Sequence, residues 1–166
     1  MGTFESWVED HWVRLRAVAR VVCADMDGAE DVLQDALIEL HSRWEKVSTG
    51  DNPFGYTVRI IVSKAANRRR SSWNRRVILV SDARDLNGMG RSESESLVNR
   101  LVVTDALRTL NPHQRAAVAL HYFSDASVSE ISALLDRPVG TVTSDLTRAR
   151  ASLRESLGDA GGEGDE

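Results

Sequence analysis

The chain has 166 residues, of which 42% are hydrophobic and 28% are charged, and its formal net charge is -4. This size fits one domain or two small ones, and no apolar run approaches the roughly 18 residues that a membrane-spanning helix needs. A lone cysteine, Cys23, excludes a disulfide framework and a cysteine metal cluster.

The first predicted element is an amphipathic, acidic helix. Its apolar side chains recur at helical spacing, and they are Val8, Trp12, Leu15, Val18 and Val22. An acidic N-terminus is not typical of a signal peptide, so we expect a cytoplasmic protein with no direct membrane insertion. A second, cleaner apolar stripe follows, made of Ala29, Val32, Leu33, Ala36, Leu37, Leu40 and Trp44.

A third helix is predicted to open at Asn52 and Pro53. Asparagine is a favoured helix cap, and proline is favoured at the first helical position. The run 58–62 has β-propensity, but the cap at Asn52 and Pro53 and the length of the whole segment favour a helix. That helix leads into Arg68, Arg69 and Arg70, and no acid occurs from Lys64 to Arg76. Such a cluster predicts phosphate contacts, with a solvated helix face as the alternative.

The periodic pattern fails after the third helix. Residues 77–96 are rich in small and polar side chains, which predicts a flexible linker. Periodicity resumes at Leu97, and a further cap with proline stands at Asn111 and Pro112. The Gly-rich, acidic segment 158–166 predicts disorder. We therefore predict an all-α chain with two small helical domains, residues 1–76 and 97–157, joined by the linker.

The last third of the chain predicts a helix-turn-helix. Ser127 and Glu130 have the spacing of a capping box, and Pro138 cannot continue the helix that they start. The second helix is predicted to pack through one stripe, comprising Val139, Val142, Leu146, Ala149, Leu153 and Leu157. Its other face is predicted to present Thr141, Ser144, Asp145 and Arg148 to DNA base edges and phosphates.

Taken in order, these motifs resemble the sigma-70 family of RNA polymerase sigma factors, in its extracytoplasmic-function group and of actinobacterial type. Residues 29–40 are similar to the polymerase-docking helix of region two, and residues 52–70 are similar to its promoter-reading helix. Residues 110–123 and 139–144 are similar to region four. The resemblance implies a factor without catalysis or cofactor that binds core RNA polymerase and directs promoter-specific initiation.

The resemblance also implies roles for residues of the first domain. Polymerase docking is expected on the face opposite the second apolar stripe, at Asp31, Gln34, Asp35 and Ile38. Reading of the melted minus-ten strand is expected from Tyr56, Arg59, Ser63 and Asn67, with Arg68, Arg69 and Arg70 on phosphates. The loop 47–52 lies where the family captures an extruded base.

In the second domain, the recognition helix is expected in the major groove of the minus-thirty-five element. Arg137 and Arg148 are expected on phosphates, and Thr141, Thr143 and Ser144 nearest the bases. Many relatives carry Lys or Arg where Thr143 and Asp145 stand. We expect Asp145 to repel phosphate or to accept from a cytosine amino group, so that Asp145→Arg would strengthen non-specific binding.

The sequence bears on two other classes of function. The helix-turn-helix alone fits a stand-alone transcriptional regulator with an N-terminal interaction domain, and this is the alternative function. An enzyme is disfavoured because the four histidines lack metal-ligand spacing and no Gly-rich phosphate loop occurs. The expected partners are core RNA polymerase and promoter DNA, as duplex and as melted strand. An anti-sigma protein is a further candidate, because such proteins often inhibit this group.

Overall fold

The computed structural model describes residues 2–75 and 103–160, and every regular element in these ranges is a helix. The first unit (residues 2–75) contains α1 (Phe4–Cys23), α2 (Met26–Ser42), α3 (Trp44–Val47) and α4 (Pro53–Arg75). The second unit (residues 103–160) contains α5 (103–108), α6 (Pro112–Phe123), α7 (Val128–Leu135) and α8 (Val139–Ala160). The predicted all-α fold is confirmed. The predicted linker, 77–96, lies outside the described residues, as does 161–166.

Three predicted helix starts are confirmed by their hydrogen bonds. The Asn52 side chain accepts from the Gly55 amide at 2.8 Å and caps α4. Asn111 and Ser127 each begin a capping box. In each box the cap side chain accepts from the amide of the third helical residue, and the side chain of that residue accepts from the cap amide. These bonds satisfy backbone donors that have no partner within the helix. Local sequence chemistry therefore sets where α4, α6 and α7 begin.

A single hydrophobic core runs through both units. Its largest fully buried side chains come from both of them, with Leu15, Leu40 and Ile61 in the first unit and Leu120 and Ile131 in the second. Helix α6 lies against α1 and α4 as well as against α7 and α8. None of the described helices is long and apolar enough to cross a bilayer. The two predicted units thus share one core, which the sequence did not indicate.

Three residues that were predicted to pack are exposed instead. Trp12, Val139 and Leu157 keep 41%, 51% and 42% of their surface accessible. Val139 and Leu157 stand at the two ends of the α8 stripe, whose buried centre is made of Val142, Leu146 and Ala149. Helix α8 also continues to Ala160, so the first residues of the predicted disordered tail are helical.

Cys23, the last residue of α1, is expected to be unreactive in the folded protein. Burial, aided by the nearby Asp25 carboxylate, raises the pKa of its thiol to about 11. Because only the thiolate is nucleophilic, about one thiol in a thousand is reactive at pH 8. We expect alkylation by iodoacetamide to be slow in buffer and to reach the rate of a free cysteine in denaturant. Equal rates in the two conditions would contradict this.

Candidate nucleic-acid interface

Helix α2 presents an acidic face on the side away from the core, formed by Asp31, Gln34, Asp35 and Ile38. All four side chains are exposed, and Ile38 keeps 70% of its surface accessible. The opposite side of α2 is buried, with Val32, Leu33, Ala36 and Leu40 in the core. The exposure predicted for this face is observed, and its two carboxylates suit basic groups on a protein partner.

Ion pairs connect α2 to α4. Asp31 accepts from Arg68 at 2.8 Å, and Glu39 contacts Lys64 at 2.8 Å. The hydrogen bond from Lys64, followed by its charge, lowers the pKa of the Glu39 carboxyl. Ion pairs at or near the surface, such as these, add little stability. These ion pairs matter because they hold two predicted contact residues side by side. Asp31 is predicted to contact polymerase, and Arg68 is predicted to contact phosphate.

Helix α4 carries the predicted promoter-reading residues along one face. This reading stripe consists of Tyr56, Arg59, Ser63, Asn67 and Arg70, at intervals of three and four residues that keep them aligned. Tyr56 is half-buried and the other four are exposed. The opposite face holds Phe54, Val58, Ile61 and Ala65, and all four are buried. Helical spacing therefore brings planar, cationic and hydrogen-bonding groups onto one continuous surface.

A cavity of about 630 Å³ opens where this stripe meets the loop before α4. Its lining includes Arg43, Lys46, Asp51, Tyr56 and Arg59. Arg43 donates to the Tyr56 hydroxyl at 3.0 Å, which fixes the ring at the edge of the cavity. We call this cavity the base pocket, after the predicted capture of an extruded base at the loop 47–52, which supplies part of its lining. It holds an aromatic ring together with hydrogen-bonding groups of both kinds.

Gly55 keeps the wall of the base pocket open. A Cβ atom at position 55 would lie 2.5 Å from the Asn52 amide nitrogen. Real Cβ atoms do not approach so closely, so any larger residue would displace the Asn52 side chain that caps α4. The pocket wall and the helix cap are therefore one local structure.

The helix-turn-helix has the predicted turn. Helix α7 ends at Leu135, and Asp136 follows with φ 51°, in the left-handed conformation that Asp tolerates better than most residues. On α8, Thr143, Ser144 and Arg148 are exposed and Thr141 is half-buried. Thr143 donates to the Val139 carbonyl at 3.0 Å, so its hydroxyl oxygen keeps only its acceptor capacity for another partner. The exposed part of the recognition face is thus short, polar and singly charged.

The prediction that Asp145 lies on the exposed face is wrong. Its side chain keeps only 7% of its surface accessible and forms an ion pair with the Arg137 guanidinium, with 3.3 Å between the nitrogen and oxygen atoms. Asp145 lies three residues after Val142 and four before Ala149, which places it on the core side of α8. Arg137, expected on phosphate, is held by this pair, so Arg148 is the more accessible cation of the two.

A histidine next to this pair is affected by the same surroundings. Partial burial, followed by the positive charge of Arg137, lowers the pKa of His113. The imidazole is therefore predominantly neutral at pH 7. Neutral His113 adds no charge to the cationic surface of the second unit.

Three arginines that the sequence analysis did not single out connect the two units. Arg115 is buried within α6 and donates to the Val22 carbonyl at 3.1 Å. Arg108 donates to the Ala24 carbonyl at 3.2 Å, and Arg14 donates to the Phe123 carbonyl at 3.1 Å. One sequence feature could have identified Arg115: it is the only charged residue in the run 114–120. The structure shows that this whole run is buried. A charge in such a run indicates a specific polar partner.

Within 2–75 and 103–160, no group of three His, Cys, Asp or Glu side chains is placed to hold a metal ion. Arginine and hydroxyl groups dominate both candidate surfaces. These groups suit phosphates and base edges.

Comparisons with known proteins agree with this geometry. The family model for Sigma-70 region 2 matches residues 7–75, and that for Sigma-70, region 4 matches residues 100–153. The RNA polymerase sigma-E factor of Streptomyces avermitilis is 32% identical over 155 residues, covering 93% of this chain and 84% of that protein. The ECF RNA polymerase sigma factor SigM of Mycobacterium tuberculosis is 26% identical, covering 93% and 77%.

Solved structures give the same fold. The sigma factor RpoE of Bartonella quintana, solved in complex with the anti-sigma factor NepR, superposes with a TM-score of 0.66 at 25% identity. That match covers 93% of this chain and 96% of RpoE. CnrH, solved in complex with the cytosolic domain of CnrY, superposes with a TM-score of 0.57 at 22% identity and supports the fold alone.

Proposed function

This chain belongs to the sigma-70 family of RNA polymerase sigma factors, in the extracytoplasmic-function group, and we propose how its surfaces divide the work of initiation. As a sigma factor it binds core RNA polymerase and directs promoter-specific transcription initiation. The observation that carries this assignment is the match to region two followed by region four on one chain. A stand-alone regulator is not favoured, because its N-terminal domain would not be expected to match region two.

The acidic face of α2 is proposed as the polymerase-docking surface. Asp31 and Asp35 supply negative charge, and Ile38 supplies an exposed apolar contact. Complementary charge speeds encounter, whereas buried apolar groups slow dissociation. The partner surface is therefore expected to be basic with an apolar recess.

The reading stripe and the base pocket are proposed to hold the melted minus-ten strand. Single strands bind by stacking on planar side chains and by a cationic groove along the backbone. Tyr56 supplies the planar group, Arg59 and Arg70 supply charge, and Ser63 and Asn67 supply hydrogen bonds to base edges. An extruded base would enter the base pocket. Arg68 and Arg69 are assigned to phosphates.

The exposed face of α8 is proposed to read the minus-thirty-five duplex. Thr143 and Ser144 are small enough for base edges to approach, and Arg148 reaches a phosphate. Thr141 and Arg137 contribute at the rim, whereas Asp145 is withdrawn from the proposed contacts. With few cations on this face, most of the binding free energy must come from the first unit and from polymerase.

The remaining assignments follow the family. We propose domains at 1–76 and 97–157, a cytoplasmic location, and no catalytic activity of the chain's own. An anti-sigma protein is also proposed as a partner, because the sigma factor RpoE, which has the same fold, was solved in complex with the anti-sigma factor NepR.

The assignment is tested by size-exclusion chromatography of the purified chain with core RNA polymerase. We expect stable co-elution, because a sigma factor binds the core enzyme before it reaches a promoter. Specific duplex binding by the chain alone, without co-elution, would instead support the stand-alone regulator.

Replacing Tyr56 with alanine is expected to weaken binding of an artificially melted promoter by about tenfold, since a base-aromatic stack contributes about 1–3 kcal/mol. Tyr56→Phe is the matched control, because it keeps the ring and loses only the hydroxyl that contacts Arg43. We expect the phenylalanine variant to bind within about twofold of the wild type. The measurement is equilibrium binding of the reconstituted holoenzyme to a pre-melted duplex. If Tyr56→Ala binds with wild-type affinity, Tyr56 is not part of the strand-binding surface.

A further inference from the structure

Building on the proposed function, we propose that Glu39 is a positioning residue for the base pocket. Glu39 lies outside the lining of the pocket, and neither proposed DNA surface includes it. It holds the guanidinium of Arg43, which does line the pocket, in one orientation. With Arg43 fixed, the pocket favours a strand whose base is seated over a strand whose base is missing.

A chain of polar contacts connects the middle of α4 to the base pocket through Glu39. One carboxylate oxygen of Glu39 lies 2.8 Å from the Lys64 ammonium, and the other lies 3.4 Å from one terminal nitrogen of Arg43. The second terminal nitrogen of Arg43 donates to the Tyr56 hydroxyl at 3.0 Å. Because both terminal nitrogens are engaged, the plane of the guanidinium is fixed. The remaining N–H groups of Arg43 are available to a base.

Glu39 is the anchored partner in its pair with Arg43. Only 28% of the Glu39 side chain is accessible, whereas 56% of the Arg43 side chain is. The hydrogen bond from Lys64 lowers the pKa of the Glu39 carboxyl, so this group is ionised at neutral pH. An exposed arginine has many rotamers open to it. The less exposed carboxylate, itself held by α4, is therefore the group that restrains Arg43.

The Tyr56 hydroxyl is expected to restrain Arg43 less than Glu39 does. The hydroxyl is neutral, and its contact depends on hydrogen-bond distance. Glu39 and Arg43 carry opposite charges, whose attraction persists when the two groups move apart. Loss of the hydroxyl in Tyr56→Phe leaves Arg43 tethered to Glu39, in agreement with the small effect expected for that variant. Loss of the Glu39 charge leaves Arg43 with one neutral partner.

An acid at this position disfavours DNA binding in general. Glu39 pairs with two cations, Arg43 and Lys64, beside a surface that is proposed to hold a strand. Free cations raise the affinity for phosphates, and ion pairs near the surface add little stability. Neither strand affinity nor stability accounts for Glu39, whereas orientation of a pocket residue does. Removal of its charge is thus expected to raise backbone affinity and to lower selectivity for a seated base.

The test measures that selectivity with the reconstituted holoenzyme and pairs of pre-melted duplexes. The parent duplex is selected for binding to wild-type holoenzyme from a pool that is randomised within the melted segment. Its partners carry an abasic residue, moved through that segment one position at a time. Every duplex keeps all its phosphates, so the ratio of the abasic to the parent dissociation constant cancels the backbone contribution. We call this ratio, at the position where wild type is most sensitive, the base ratio.

We expect Glu39→Gln to lower the base ratio about threefold, the factor that corresponds to a partly exposed ion pair. Its affinity for the abasic duplex should rise, because Arg43 and Lys64 become free for phosphates. Glu45→Gln is the matched control, since it makes the same charge change at an exposed position of α3 outside the pocket lining. This control should change the affinities of both duplexes equally and keep the wild-type base ratio.

Arg43→Lys tests the same pair from its other side. Lysine keeps the charge but lacks the planar fork that contacts Glu39 and Tyr56 together, so the base ratio should again fall about threefold. Adding Glu39→Gln to Arg43→Lys should lower the ratio no further, because both changes act through one contact. A wild-type base ratio in Glu39→Gln, or a loss equal to that of Glu45→Gln, would overturn the proposal. Additive losses in the double variant would overturn it as well.

Failure of the proposed function gives a different pattern. If no abasic position weakens binding of the wild-type holoenzyme, the base pocket holds no base, and the role of Glu39 falls with that assignment. Each holoenzyme is formed with excess chain, so a change in polymerase affinity does not enter the base ratio. Co-elution with core polymerase is a separate result and is expected for wild type and variants alike.

Discussion

Replacing Asp145 with arginine is expected to destabilise the second unit by about 3–5 kcal/mol, the loss typical when one partner of a buried ion pair is removed. Asp145 is buried against Arg137 beneath the recognition face of α8. An arginine there would place two guanidinium groups together in the core, and the Arg137 Nε atom already has no partner. Such a loss is a large part of the stability of a small domain. Stronger DNA binding, expected from the sequence, is therefore not the main effect.

The measurement is urea denaturation followed by circular dichroism. Glu155→Arg is the matched control, because it makes the same charge change at an exposed position of α8. We expect Glu155→Arg to unfold within about 0.5 kcal/mol of wild type. An Asp145→Arg protein with a wild-type midpoint would show that position 145 faces solvent.

Reversing both acids of the α2 face, as Asp31→Arg with Asp35→Arg, is expected to weaken core polymerase binding by about 100-fold. Like charges placed opposite each other across an interface cost several kcal/mol. Both carboxylates are exposed, and the pair between Asp31 and Arg68 lies at the surface, so the fold should persist. The dissociation constant is measured by titrating labelled chain with core enzyme.

A charge-matched control is available on α1. Glu9→Arg with Asp10→Arg makes the same change in net charge at two exposed positions outside the acidic face. This variant should bind core polymerase within about threefold of wild type. If both double variants lose affinity equally, the effect is one of net charge, and the docking surface is not on α2.

Much of the fold could be predicted from the sequence because its signals are local. Asn52, Asn111 and Ser127 each bond to an amide three residues on, so the spacing of residue types was sufficient. Asp136 adopts the left-handed conformation for a similarly local reason. The alignment of the reading stripe and the acidic face follows from helical periodicity alone.

Asp145 was misplaced because its charge was given more weight than its position. Its spacing from Val142 and Ala149 puts it on the buried side of α8. A carboxylate is stable there only with a partner, and that partner, Arg137, lies outside α8, in the turn that precedes it. Helical periodicity places Asp145 on the buried face of α8, whereas the general expectation that acidic side chains are exposed placed it on the wrong face.

The packing of the two units could not be predicted for a different reason. Arg115 and Val22 are 93 positions apart in the chain, and their hydrogen bond depends on how α6 lies against α1. No local pattern encodes such a contact. A buried charge in α6 indicates only that some partner exists, so the base pocket and the arginine contacts became visible only in three dimensions.

The most direct test of the central claim is reconstituted transcription. Core RNA polymerase is incubated with genomic DNA, with and without the purified chain, and the 5′ ends of the transcripts are mapped. The account predicts discrete start sites that appear only with the chain and share two sequence elements, at minus thirty-five and minus ten. Transcripts with the same scattered 5′ ends in both reactions would contradict it.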